Sequence, residues 1–378
     1  MKHILILSLA MAAAMPAMAD LNGEGYYRVE NYKTERWVSV IDYRGRIDLG
    51  STSADLQAIK LQKNFDVVSG DAASVLYVKP VSGEYDITAQ GTGIYEIIDH
   101  YLRLREVGSA NGQTLYKAYG TYNGATRYLG DGTVGNRDLG GMSTATTGDY
   151  QKWYIKPITS DGENFFGVQS TVDANGALYA SLYTSFPYSA YSDGVKFYYV
   201  NRTFLGAAEL KEVDGTVAES TPVIVKCAGV NPSDNRLYVG GSGISMSDNC
   251  LSGTYFNCDK GGHENFTTYD PKTMRVPGRC ADGSFGFITA DIETIPANTA
   301  YLKVTPDAPS EVKIMSTEEF DLYYKYHTAV ESVDVDSDES SDVYSATGIL
   351  LHKNATPEQI NSLPAGLYII GGKKILKR

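Results

Sequence analysis

The chain has 378 residues and a formal net charge of −12, from 33 basic and 45 acidic side chains. A surface this acidic has no electrostatic reason to seek nucleic acid or anionic lipid, so neither is expected as a partner. Thirty-eight glycines and 29 tyrosines, set among short apolar runs, point to an all-β protein long enough for two or more domains.

Residues 1–19, "MKHILILSLAMAAAMPAMA", read as a signal peptide. Lys2 supplies the positive end, residues 4–15 the apolar stretch, and Ala17-Met18-Ala19 the small-residue cleavage site. The apolar run is too short to span a bilayer, so no transmembrane segment is expected in the mature chain. No cysteine follows the cleavage site, which argues against a lipid anchor. The mature chain is expected to begin at Asp20 with charge −13, Lys2 being lost. It is expected to be exported, to the medium or the outer-membrane surface, with the periplasm as the alternative.

The next segment repeats itself. Residues 25–81 align with 114–158: Trp37 and Arg46 are nine apart, as are Tyr128 and Arg137. The closing strands "LYVKPV" (76–81) and "WYIKPI" (153–158) match closely. A weaker third copy covers 164–200, with Tyr179 at the position of Trp37 and Tyr128, and Phe197 at that of Leu76 and Trp153. Each copy reads as four short strands between Gly, Asn, Asp and Ser turns. Three such units predict a β-trefoil over 20–202, because one unit cannot bury its apolar face alone. An insertion at 82–112 separates the first two copies. In it Ile94, Ile97, Ile98, Tyr101 and Leu104 have helical spacing, although "YLRLREV" also alternates as a strand does. A short helix is expected there.

Within copy two, Gln151-Lys152-Trp153 is a Gln-x-Trp triplet, and with the repeat it makes residues 25–202 resemble a ricin-type β-trefoil. The resemblance implies that Trp153 packs into the shared core. It also implies a sugar held by an early acidic residue, an aromatic platform and an Asn preceding the Gln. This chain departs from that pattern: Tyr150 precedes Gln151, and Ser74 and Val195 stand at the Gln position in the other copies. Leu76, Trp153 and Phe197 would form a threefold core layer, each contributing roughly 1.5–3 kcal/mol on burial. The triplet therefore marks a fold, and any glycan site is expected on the loops. Sugar sites join an aromatic face to a carboxylate or amide. Tyr128 and Asp131, with Asn136 and Asp138, offer that pairing in copy two; Tyr183, Tyr188, Tyr191 and Asp193 offer it in copy three.

From 203 to 330 short strands bounded by Gly, Pro and Asn predict a β-sandwich-like domain. The run from "GTYF" to "ANTAYLKV" resembles a module of large Bacteroidota surface proteins, which implies a cell-envelope context. Cys227, Cys250, Cys258 and Cys280 all fall in this region. An even count in an exported chain predicts two disulfides, with Cys250–Cys258 and Cys227–Cys280 preferred among three pairings. Zinc is the weaker alternative, since there is no C-x-x-C.

Residues 331–342, "ESVDVDSDESSD", predict an acidic linker. Asp334, Asp336, Asp338 and Asp342 follow part of a calcium-loop order, but Glu339 replaces its glycine and Ser345 its final glutamate, so no metal site is expected. Residues 343–378 resemble the C-terminal sorting tails of Bacteroidota, through "LPAGLYIIGGKKILKR". That resemblance implies the type IX outer-membrane export machinery as a partner. A β-hairpin packed on the preceding domain is the alternative.

No G-x-S-x-G, H-E-x-x-H, P-loop or dinucleotide fingerprint occurs, and the histidines are scattered. The sequence thus predicts a non-enzyme without cofactor that binds carbohydrate through its trefoil. The alternatives are a structural surface protein without a sugar site, or a trefoil-type protease inhibitor presenting "SFPYSAYSDG" (185–194).

Overall fold

Alternation along one strand organises the N-terminal half. In β1 (Gly25–Asn31) Tyr27 and Val29 join one apolar core, while Tyr26 and Arg28 face the opposite way. The computed structural model containing this strand describes residues 21–41, 59–89, 102–122, 125–131, 140–143, 148–257, 266–328, 340–345, 348–364 and 366–377. The expected signal peptide, the proposed helical stretch up to Tyr101, and positions 331–339 of the acidic linker lie outside the described residues. The chain divides into one unit ending at Ile314 and a second beginning at Met315. It is all-β in class.

After β1 come β2 (Trp37–Val40), β3 (Ile59–Gln62), the one-turn helix α1 (Phe65–Ser69), β4 (Leu76–Val81) and β5 (Glu84–Thr88). They are followed by β6 (Leu102–Ala110), β7 (Gln113–Tyr122), β8 (Ala125–Asp131), β9 (Gly140–Ser143) and β10 (Trp153–Pro157). Strands β1, β4, β5, β6, β7 and β10 pair antiparallel in a closed ring, because β10 pairs with both β7 and β1. The hairpins β2–β3 and β8–β9 extend from it. Closure leaves the ring no open edge. Its interior holds Tyr27, Val29, Leu76, Ile87, Leu102, Leu104 and Trp153 among others. Trp153 is fully buried and its indole N–H donates to the Leu129 carbonyl at 3.1 Å.

Two expectations are corrected here. The stretch 82–112 is not an insertion: β5 and β6 supply two of the six ring strands, and Leu104 lies in a strand rather than a helix. The third sequence copy, 164–200, is not in the ring, and Phe197 belongs to a different core. The reason is length and alternation: Ile87, Leu102 and Leu104 fill the interior from short alternating strands that carry neither Gln nor Trp.

The second half holds β11 (Phe166–Gly167), β12 (Val172–Ala174), β13 (Ala177–Leu182), β14 (Tyr188–Ala190), β15 (Lys196–Phe204), β16 (Ala207–Glu212) and β17 (Val223–Cys227). It continues with β18 (Arg236–Val239), β19 (Leu251–Thr254), β20 (Met274–Arg279), β21 (Phe285–Ile288), β22 (Thr299–Lys303) and β23 (Glu311–Met315). One sheet runs β12-β13-β17-β15-β16-β23-β21-β20-β22-β19, and a small one runs β11-β18-β14. The long sheet curls, so that Tyr183 after β13 exchanges backbone and side-chain hydrogen bonds with Asn298 before β22. No boundary falls at 202: β15 crosses it, and β13 pairs Leu182 with Val223 and Leu178 with Cys227.

Arg28 joins the ring to this second half. Its guanidinium is fully buried, and burial pulls its pKa down to about 9 against the opposing pull of the Asp71 carboxylate. Nε donates to Ser74 Oγ at 2.8 Å, and Nη1 to Asn164 Oδ1 at 2.8 Å and the Phe165 carbonyl at 2.7 Å. Nη2 reaches the carbonyls of Val68 at 3.2 Å and Ser69 at 3.4 Å, at the end of α1. The adjoining core is shared: Ala72 and Val75 from the ring connection pack with Phe166, Phe186, Tyr188 and Val225, with Tyr26 and Ile158 against them.

In the second unit, α2 (Thr317–Thr328) precedes β24 (Ser341–Ser345), β25 (Leu350–Ala355), the one-turn helix α3 (Pro357–Asn361), β26 (Gly366–Ile370) and β27 (Lys373–Lys377). The expected hairpin is a four-stranded antiparallel sheet in the order β25-β24-β26-β27. Val343, Ala355, Ile360, Ile370 and Ile375 form its core, and a single hairpin could not have buried them. The linker also ends sooner than expected, since Ser341 and Asp342 belong to β24.

Arg28→Ala leaves a buried amide and several buried carbonyls without their donor, so it is expected to lower unfolding free energy by roughly 3 kcal/mol or more. Urea denaturation followed by tryptophan fluorescence checks this, and a loss under about 1 kcal/mol would contradict the role given to Arg28.

Candidate functional site

Among the described residues, those expected to hold sugar do not converge. Tyr128 lies half-buried on β8 opposite Ser143, with Lys117 Nζ 4.9 Å above its ring and the Tyr119 ring 6.1 Å away. The Asp131 side chain is fully buried. Arg36 Nε donates to its Oδ2 at 2.8 Å, Arg36 Nη2 to its Oδ1, and Thr34 Oγ1 also donates to it. Its carboxylate therefore clamps the turn after β1 onto β8 and is unavailable to a ligand. Asn136 and Asp138 lie outside the described residues.

The other cluster is split between core and surface. Tyr183 stands half-buried against Tyr255, their centroids 4.4 Å apart. Tyr188 is fully buried, its hydroxyl has no hydrogen-bond partner among the described residues, and burial pushes the phenol far up. Tyr191 and Asp193 are exposed, and the Tyr191 ring meets that of Tyr238 edge-on at 5.0 Å. Residues 185–194 do not protrude as an inhibitor loop would. Phe186 and Pro187 are buried, and 188–190 form β14, paired with β18.

The expected Cys227–Cys280 disulfide is not formed. Cys227, Cys250 and Cys280 are free thiols, and Cys258 lies outside the described residues. Burial pushes the Cys227 thiol up to about 12, and raises those of Cys250 and Cys280 as well. Inert, packed sulfhydryls are the result.

A cleft of about 490 Å³ opens between the ring and the second half, lined by Tyr26, Pro187, Ala218, Glu219, Ser220, Gly241, Gly243 and Ser245. Period-two alternation in β1 places it: Tyr27 points into the ring, so Tyr26 points out toward the second half. The Tyr26 ring packs against Tyr77 at 5.2 Å and Phe186 at 5.9 Å. Burial, and secondarily the Glu219 carboxylate, push its phenol up.

The opposite wall is the segment "GGSGIS" (240–245). Gly240 has φ +109°, and a Cβ there would lie 3.6 Å from the Tyr26 ring. A Cβ on Gly243 would fall 2.2 Å from Ala218 Cα, so only glycine lets the two segments approach. Ile244 N donates to the Thr216 carbonyl at 2.8 Å and Ala218 N to the Ile244 carbonyl at 3.2 Å, fixing that approach. Ser220, at φ +57°, donates its N–H to the Thr184 carbonyl at 2.8 Å, and its hydroxyl lies 2.7 Å from Tyr255 Oη. Glu219 stands exposed at the rim and is the one charged side chain among these lining residues. The cleft thus offers an aromatic ring, a carboxylate acceptor and serine hydroxyls.

Sequence reasoning did not find this site. The "GG" at 240–241 reads as an ordinary strand end, and Glu219 as a surface charge; only adjacent Tyr26-Tyr27 hinted that one ring must face outward.

Asp131→Ala is expected to lower stability by roughly 1–3 kcal/mol, because it removes a buried carboxylate that accepts from Arg36 and Thr34. Asp193→Ala, at an exposed site, should change it by less than about 0.5 kcal/mol. Chemical denaturation of both variants checks the contrast, and equal effects would contradict it.

No protein-family model matches the chain, and no curated protein matches it. Among solved structures, one titled as the structure and mode of action of a mosquitocidal holotoxin is 11% identical, with a TM-score of 0.25. The match covers 75% of this chain and 34% of that one, so the chain spans about a third of its length. No helix among the described residues is long and apolar enough to cross a membrane.

Proposed function

We propose that this is a non-catalytic carbohydrate-binding protein of exported type, and that its site is the cleft between the ring and the second half rather than the trefoil loops. The observation that carries this reading is the joining of Tyr26, Glu219, Ser220 and Ser245 around one open cleft. An aromatic face suits the C–H side of a sugar ring, and a carboxylate with hydroxyls suits its polar edge. The size lies within the range of small-ligand sites. The lining holds one carboxylate, where glycoside hydrolysis ordinarily uses two, which supports recognition over catalysis.

Charge narrows the ligand class. Glu219 would repel uronic and sialic acids, so neutral or amine-bearing sugars are favoured. On this reading the ring is trefoil-like, its six strands falling as the pairs β1 and β4, β5 and β6, and β7 and β10. Export through the N-terminal segment, and the outer-membrane machinery as a partner of the tail, belong to the same proposal.

A second reading has its own support. The shared core containing Ala72, Val75 and Phe186 makes the ring part of a larger body, as a purely structural surface protein would need.

A glycan array followed by calorimetry separates the two. Neutral glycans are expected to bind, and Glu219→Gln or Tyr26→Ala to weaken them about tenfold or more, equivalent to about 1.4 kcal/mol. Glu219 is exposed, so its variant tests binding without touching the core. Absence of binding to any neutral or amino sugar would leave the structural reading.

A further inference from the structure

The cleft does not end at its own walls. Pro187, on one wall, precedes β14, and Gly241, on the other, follows β18; these two strands pair with each other. Gly240 N donates to the Pro187 carbonyl at 2.7 Å, which zips the two strands together at the cleft end. The register is Tyr188 with Val239, Ser189 with Tyr238 and Ala190 with Leu237. Tyr188 and Leu237 point into the shared core and are fully buried. Alternation therefore turns Ser189 and Tyr238 outward together. Tyr191, two residues beyond Ser189, is exposed and its ring packs edge-on against Tyr238, which is 51% exposed. Ser189, Tyr238 and Tyr191 thus form one outward strip beside the cleft, and Tyr191 lies roughly 13 Å along the strand from the buried Pro187 of the cleft wall at about 3.3 Å per residue.

We infer that the ligand is an oligosaccharide, bound at one end in the cleft and at the other on the Tyr191–Tyr238 pair. This rests on the reading of the cleft as a sugar site. Two half-exposed tyrosines, Tyr238 on β18 and Tyr191 just past β14, meet edge-on with centroids 5.0 Å apart, and each offers an aromatic surface of the kind a sugar ring packs against. The distance from Pro187 exceeds one sugar ring and suits a chain of a few units. Ser189, half-buried between the two ends, supplies a hydroxyl midway. Ser189 and Tyr238 are uncharged, in keeping with a neutral chain, and Arg236, the neighbouring residue of like parity on β18, spends its guanidinium on the Ser160 and Gly162 carbonyls and the Phe165 ring. Asp193, just past Tyr191, stands exposed at the far end as an acceptor. The rigid spacing converts the second contact into an intramolecular one, so affinity should climb with chain length until the platform is reached and then level off.

Calorimetric titration of the mature chain with glucose, mannose and N-acetylglucosamine oligomers of one to five units tests this. For whichever series binds, affinity is expected to rise about tenfold or more between the monosaccharide and the tetrasaccharide. The double variant Tyr191→Ala, Tyr238→Ala should lose that rise while keeping monosaccharide affinity. Tyr191→Phe with Tyr238→Phe, which keeps the rings, should retain it. Monosaccharide binding with no gain in length, or a gain that survives the alanine pair, would overturn the inference and leave the cleft reading standing. Binding of no member of any series would overturn both.

Discussion

A fully buried arginine is the constraint on which the larger unit depends. Arg28 leaves the ring through the outward face of β1 and reaches α1, the turn before β4, and the connection at 164–165. A guanidinium in such a place is costly unless its donors are occupied, and five hydrogen bonds in three directions occupy them. Asn164 extends the network by donating to the Lys156 and Pro157 carbonyls at the end of β10. The guanidinium's directionality, more than apolar area, sets how the ring meets its neighbour.

From that meeting the cleft follows. The same outward face of β1 that carries Arg28 carries Tyr26 two residues earlier. Arg28 goes into the seam and Tyr26 lies at its open end, where the shared core stops and the glycine segment 240–243 begins. A ring on its own would leave Tyr26 on a convex wall; the second half on its own would lack an aromatic face opposite Gly240. On the proposed reading, recognition and architecture are therefore coupled. A change in how the two halves dock would move the Tyr26 ring against Glu219 and reshape the cleft without touching either residue.

How far the sequence reveals this depends on the range of each interaction. The all-β class is legible because short apolar runs between glycine and asparagine turns are local. Burial of Trp153 is legible from its place in a matching strand. The six-stranded ring is not, because β5 and β6 fill the interior with Ile87, Leu102 and Leu104 and carry no Gln-x-Trp triplet. Asp131 reads as a turn residue in "GDG", yet its partners Thr34 and Arg36 lie 97 and 95 positions away. The Cys227–Cys280 pairing failed for a related reason: even count and compartment say nothing about whether two strands bring their sulfurs together. The cleft draws on segments near 26, 187, 219 and 243, and no local pattern joins them.

On the proposed reading, ring and second half are one cooperative body whose seam makes the site. Native-state hydrogen exchange across a urea series tests it most directly, comparing β10 in the ring with β17 beyond it. Amides of Trp153, Tyr154 and Ile155 and those of Val223, Ile224 and Val225 are expected to open with the same free energy and the same urea dependence. A ring that opens at markedly lower urea, while β17 stays protected, would contradict it.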